Sequence, residues 1–137
     1  MGQVFVDFDV SNGYDLDRMA DGTLPATEVR CIKVLRVPMD PTRLRLFLPA
    51  ELIAALGLRL GYEVPNESGG GLVARVFWNA LLTFEDRTAA VEVVELPAGG
   101  SPVLGAIPMQ ALGIEPDLRQ GRVRKLPCDR TSSYIRI

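Results

Sequence analysis

Residues 50–58 (Ala-Glu-Leu-Ile-Ala-Ala-Leu-Gly-Leu) and 106–114 (Ala-Ile-Pro-Met-Gln-Ala-Leu-Gly-Ile) are near copies of one another. They agree at Ala50 and Ala106, Ala55 and Ala111, Leu56 and Leu112, and Gly57 and Gly113, and Leu58 is answered by Ile114. Each copy reads as a short apolar helix stopped by a glycine just past its end, where a left-handed backbone is needed. An apolar run precedes each, at 44–48 and at 103–104. Two copies are too few for a solenoid, whose units need at least about three stacked neighbours. The duplication points instead to a small β domain with internal pseudo-twofold symmetry.

A chain of 137 residues is one domain by length, and no low-complexity tract or long linker divides residues 1–137. A formal net charge of −2 with scattered Lys and Arg gives no footing for nucleic acid, and no apolar stretch reaches the length of a membrane span. The first residues carry no basic leader or signal-like run, and Cys31 and Cys128, two cysteines far apart in sequence, do not make a disulfide framework. A cytoplasmic protein with reduced thiols is expected. The absence of histidine excludes Ser-His-Asp and Cys-His nucleophile systems, histidine-based zinc sites and a histidine general base. Any acid–base chemistry must come from carboxylates, Lys, Tyr or Cys.

Hydrophobic alternation predicts a mainly β chain with one or two short helices. Val4, Val6, Phe8 and Val10 share one strand face, with Phe5, Asp7 and Asp9 on the other, and Ser11-Asn12-Gly13 reads as the turn that ends the strand. Residues 14–26 form a polar excursion with at most a turn of helix at its start. Strands are predicted over 27–37, 59–65, 72–84, 88–96 and 122–126, with a final one at 134–137. On the second strand, Val29, Cys31, Lys33 and Leu35 are expected to face one way and Arg30, Ile32, Val34 and Arg36 the other. Pro49 opens the first helix, and the polar tip 66–71 joins 59–65 to 72–84.

The order of elements resembles the retropepsin-like aspartic proteases, in particular their small single-domain bacterial and archaeal members. The family motif is Asp-Thr/Ser-Gly-Ala, followed by Leu-Pro and a helix ending in Leu-Gly-Leu. Here Leu48-Pro49 and Leu56-Gly57-Leu58 fit that pattern, and Asp40 stands where the family's catalytic aspartate falls. Val103-Leu104-Gly105 before the second helix is similar to the family's C-terminal signature of two apolar residues and a glycine. The resemblance implies a closed β-barrel and a homodimer, with an Asp40 from each copy paired across the twofold axis. Two adjacent carboxylates share a proton, so one activates water while the other protonates the scissile carbonyl. The hairpin 63–77 would be a flap, with Gly69, Gly70 and Gly71 at its tip against a bound peptide or protein ligand. The terminal strands would interleave across the dimer, and no cofactor or metal is implied.

The sequence departs from the family at the motif itself, which is Asp40-Pro41-Thr42-Arg43. Pro41 has neither the hydroxyl nor the N–H by which the family's Thr or Ser ties two active-site loops together. Thr42 stands where glycine permits a tight turn. Arg43 replaces a small residue and is placed to pair with Asp40, which would lower its pKa and oppose a shared proton. A retropepsin fold with an impaired catalytic loop and a peptide-binding or structural role is the leading expectation. The alternatives are a working peptidase with a reshaped loop, and a purely local role for Asp40 as a turn residue capping a backbone N–H.

Other constellations read as structural. Asp7 and Asp9 form the wet face of an edge strand, and Glu92 and Glu95 lie on opposite faces of theirs. Gly69-Gly70-Gly71 is followed by no Lys-Ser/Thr and no helix, so it is not a phosphate loop. Phe77 and Trp78 face opposite ways, one into the core and the other toward a groove or interface.

Overall fold

A computed structural model of the chain describes residues 2–65 and 73–127. The expected terminal strand at 134–137, Cys128 and the glycines Gly69, Gly70 and Gly71 lie outside the described residues. The fold is mostly β, with a nearly closed barrel-shaped sheet and three short helices, where one or two were expected.

The first strand, β1 (Phe5–Asn12), buries Val6, Phe8 and Val10 as its alternation predicts. It does not end in a turn. Asn12 caps a helix, α1 (Gly13–Ala20), by accepting the Asp15 N–H on its side-chain oxygen at 3.1 Å. An asparagine before glycine reads locally as a turn, but the same side chain satisfies an orphan donor at a helix start. A single 3-10 turn (Ala26–Glu28) leads into β2 (Cys31–Pro38), which pairs antiparallel with β1. Strict alternation fails on β2. Arg36 adopts a left-handed backbone (φ 53°), the register slips opposite β1, and Val34 and Val37 become the buried pair. This is a bulge: one extra residue re-aims everything after it.

The chain continues through β3 (Leu46–Pro49), α2 (Ala50–Leu56), β4 (Arg59–Pro65), β5 (Val73–Phe84), β6 (Arg87–Leu96), β7 (Val103–Leu104), α3 (Ala106–Leu112) and a hairpin of β8 (Ile114–Asp117) and β9 (Arg122–Lys125). Leu44, the first residue of the apolar run 44–48, precedes β3 and is exposed, and Pro49 is the N-cap of α2 and not its first helical residue. The sheet runs β2-β1-β5-β6-β3-β7, with β4 on β5. Over Asp9–Asn12, β1 lies between β2 and β5 and is not an edge, which corrects the reading of Asp9, whereas Asp7 lies where β1 pairs with β2 alone. On β5 a second bulge at Asn79 (φ 62°) shifts the register between Phe77 and Ala80, leaving Phe77 buried and Trp78 44% exposed.

β3 is parallel to β6 on one side and antiparallel to β7 on the other, and Met39, just past β2, forms a parallel bridge to Leu104 of β7. That bridge brings the two ends of the sheet together. The interior is filled by Val10, Leu46, Leu48, Leu82, Val93 and Leu104, all essentially inaccessible. Burying such side chains contributes about 1.5–3 kcal/mol each as an upper bound.

The duplication extends well past the helices. Apart from α1 and the 3-10 turn, which are inserted between β1 and β2, the order β1-β2-β3-α2-β4 is repeated by β5-β6-β7-α3-β8. Both helices end on a left-handed glycine, Gly57 at φ 64° and Gly113 at φ 68°. Over each glycine lies an arginine from the corresponding part of its own half, Arg30 over Gly57 and Arg87 over Gly113. Arg87 donates to the carbonyls of Gly113 and Leu126 at 2.6 Å each, a cation at a helix C-terminus where exposed carbonyls favour it. In the first half Asn12 supplies the donors, from Nδ2 to the carbonyls of Leu56 (2.8 Å) and Gly57 (3.2 Å).

Candidate functional site

The barrel's closing bridge places Asp40. Its N–H donates to the Leu104 carbonyl at 2.9 Å, and its carbonyl accepts from the Arg43 N–H at 3.1 Å to close a tight turn. The second repeat then locks this turn from beneath: Ala106 N–H donates to the Arg43 carbonyl (2.8 Å) and Ile107 N–H to the Leu44 carbonyl (2.9 Å). Such close approach needs Gly105. A Cβ there would stand 2.5 Å from the Arg45 carbonyl oxygen and 2.8 Å from that of Arg43. The motif Val103-Leu104-Gly105 thus holds the Asp40 turn through backbone atoms alone.

Within the turn, Asp40 Oδ1 accepts the Thr42 N–H at 3.0 Å and the Thr42 hydroxyl as well. This is the local side-chain-to-backbone turn anticipated for an aspartate before proline. The Thr42 hydroxyl, the Thr42 N–H and, more weakly, the Arg43 charge hold the Asp40 carboxyl below the usual carboxylate range. The Arg43 Nε stands 3.9 Å from Asp40 Oδ2, an ion-pair distance without a hydrogen bond.

Beside the turn runs a groove of about 620 Å³, within the usual size of ligand pockets. Arg43 and Phe47 form one wall, Pro65 and Val73 of the β4–β5 hairpin the other, and Val94 and Leu96 of β6 lie between them. Asp40 is not among its lining residues; Arg43 is the part of the motif that reaches it. The hairpin's base is pinned to the sheet by Tyr62 of β4. Its hydroxyl donates to Glu92 Oε1 of β6 at 2.8 Å, and Arg45 donates to the same oxygen at 3.2 Å. The hydrogen bond to Glu92 raises the pKa of the Tyr62 hydroxyl, so it stays a donor across the physiological range. Residues so far apart in sequence share no local pattern, and sequence reasoning placed Glu92 only on one face of its strand.

Several other carboxylates are paired within the fold. Asp7 accepts the Arg36 N–H at 2.8 Å, and Asp9 lies 3.5 Å from Lys33. Glu95 pairs with Arg75 at 3.6 Å, and Glu85 and Asp86 both hold Lys125 at 2.9 Å. Among the described residues no three His, Cys, Asp or Glu side chains gather to hold a metal ion, and no helix is long and apolar enough to cross a membrane. No family model matches this chain, and no curated protein matches it either.

Proposed function

We propose that this chain is a retropepsin-like aspartic protease homologue, homodimeric, whose catalytic loop is impaired and whose groove binds peptide. The duplicated strand–helix halves, the nearly closed barrel and the groove bordered by the β4–β5 hairpin support the fold assignment. The observation that carries the functional part is the state of Asp40. Its Oδ1 is spent on Thr42 within its own turn, and those donors favour the ionised carboxylate. A dyad that must share one proton is opposed by both.

An apolar surface around the same turn supports the dimer. Leu44, Ile107 and Leu118 are about half exposed, and Pro41 borders a shallow apolar cavity with Met109, Leu118 and Leu126. Exposed apolar patches of this kind mark interaction surfaces. A second reading, an active peptidase with an Asp40 pair across the dimer, draws on Oδ2, which accepts no hydrogen bond among the described residues.

One preparation tests both readings. Sedimentation equilibrium is expected to show a dimer, and incubation with unfolded protein from pH 3 to 7 is expected to show no cleavage. Cleavage that disappears in Asp40→Asn would establish the active peptidase in place of the impaired one. A monomer at all concentrations would remove the dimer and the dyad together.

A further inference from the structure

We propose that the groove selects an extended peptide carrying an acidic side chain flanked by apolar residues, and that Arg43 is the residue that reads the acid. The proposal rests on the peptide-binding reading above and adds the chemistry of the ligand.

Among the described residues two charged side chains line the groove, Arg43 and Glu95. Glu95 is answered from within the fold by Arg75 at 3.6 Å. Arg43 is paired more loosely. The carboxylate beside it among the described residues is Asp40, whose Oδ2 lies 3.9 Å from Nε, an ion pair without a hydrogen bond, while the other Asp40 oxygen is occupied by Thr42. Among the described residues the Arg43 guanidinium donates no hydrogen bond, although it offers five N–H donors in a planar fork. The guanidinium carbon stands 5.3 Å from the centroid of the Phe47 ring, a cation–π contact, with the side chain about half exposed. A planar cation beside an aromatic ring with its donors unspent is suited to a carboxylate, which it grips through two parallel hydrogen bonds.

Phe47, Val73, Val94 and Leu96 also line the groove and offer apolar surface to the side chains that flank the acid. A chain-terminal carboxylate is the poorer occupant. Such termini are captured by nests of free backbone N–H groups, and the groove is bordered by Pro65 and Pro97, which have none. A lone cation on a chain of net charge −2 also gives little hold on a polyphosphate or a nucleic acid.

The test uses the intact chain and three fluorescein-labelled heptapeptide pools, acetylated and amidated, with mixed Val, Leu, Phe and Ala flanks and a central Glu, Gln or Lys. Fluorescence polarisation is expected to show the Glu pool binding about ten-fold more tightly than the Gln pool, the worth of one charged hydrogen-bonded contact at a half-exposed site. Arg43→Gln should abolish that preference while retaining binding to the Gln pool. Arg43→Lys, which keeps the charge without the fork, should retain part of it. Equal binding of all pools overturns the acid preference and leaves the peptide groove standing, whereas binding of none removes both. A preference that persists in Arg43→Gln overturns the role of Arg43. One that appears only when the C-terminus is left as a free acid overturns the side-chain reading.

Discussion

The Arg30 guanidinium closes on the buried Asp15 carboxylate with Nε at 2.8 Å and Nη2 at 2.9 Å, while its Nη1 occupies the space a Cβ on Gly57 would need. The Arg30 N–H adds a third donor to Asp15 at 3.0 Å. One ion pair thus ties α1 to the start of β2 and covers the end of α2, the helix that follows the Asp40 turn and β3. The side-chain hydrogen bond from Arg30 dominates the burial of the carboxylate and lowers the Asp15 pKa from 3.8 to about 2.

That shift fixes how stability depends on pH. A carboxylate whose pKa is depressed in the folded state contributes fully above its unfolded value, and the contribution is lost as pH falls through the folded one. Asp15→Asn is expected to cost about 1–2 kcal/mol at pH 7, discounted because Arg30 is half exposed. The gap between variant and wild type should narrow from pH 4 to pH 2. Urea unfolding at pH 7, 4 and 2 measures it. A gap that stays constant to pH 2 would assign the loss to packing and not to charge.

Gly61 lies flat under the indole of Trp78, so closely that a Cβ at Gly61 would overlap the ring. The strand register slips at this point, between Leu60 and Tyr62, as glycines within strands commonly signal. In Gly61→Ala the indole must swing away, and since a side chain yields more readily than backbone the stability cost should stay under about 1 kcal/mol. Trp78 is the chain's single tryptophan, so its emission reports this place alone. A red shift is expected in the variant. An unchanged spectrum would mean that the ring does not rest on Gly61.

The parts of this molecule legible in the sequence are those whose causes are local. The repeat located α2, α3 and their left-handed glycines, because a short apolar helix before Gly needs no distant partner. The alternation of β1 survived because nothing interrupts it. Asp40 as a turn residue was legible for the same reason, since both its donors come from Thr42. The bulges at Arg36 and Asn79 were not legible. Neither residue is a glycine, and Arg36 is held left-handed by distant partners, its N–H on Asp7 at 2.8 Å and its guanidinium 4.2 Å from the centroid of the Phe5 ring. The groove was equally hidden, because Arg43, Val73 and Leu96 meet only once the sheet curls back to join Met39 to Leu104.

Gly105 provides the sharpest test of how the Asp40 turn is held. A Cβ there meets the Arg45 carbonyl oxygen, the Arg43 carbonyl oxygen and the Arg45 nitrogen at 2.5–2.8 Å, and all three are backbone atoms. None can rotate aside, so relief requires parting the Asp40 turn from the second repeat and stretching the bonds from Ala106 and Ile107 to Arg43 and Leu44. Overpacking of a rigid contact typically costs about 1–3 kcal/mol, and this one sits at the upper end. Gly2→Ala is the control, because a Cβ at Gly2 meets nothing within 4 Å. Chemical unfolding of the pair should show Gly105→Ala destabilised by about 3 kcal/mol and Gly2→Ala within about 0.5 kcal/mol of wild type. Amide exchange should show faster exchange at Ala106 and Ile107 in Gly105→Ala, since those two N–H groups carry the contact. Equal stability of the two variants would mean that the turn and the repeat are not in backbone contact, and Asp40 would then have no rigid support from which to act.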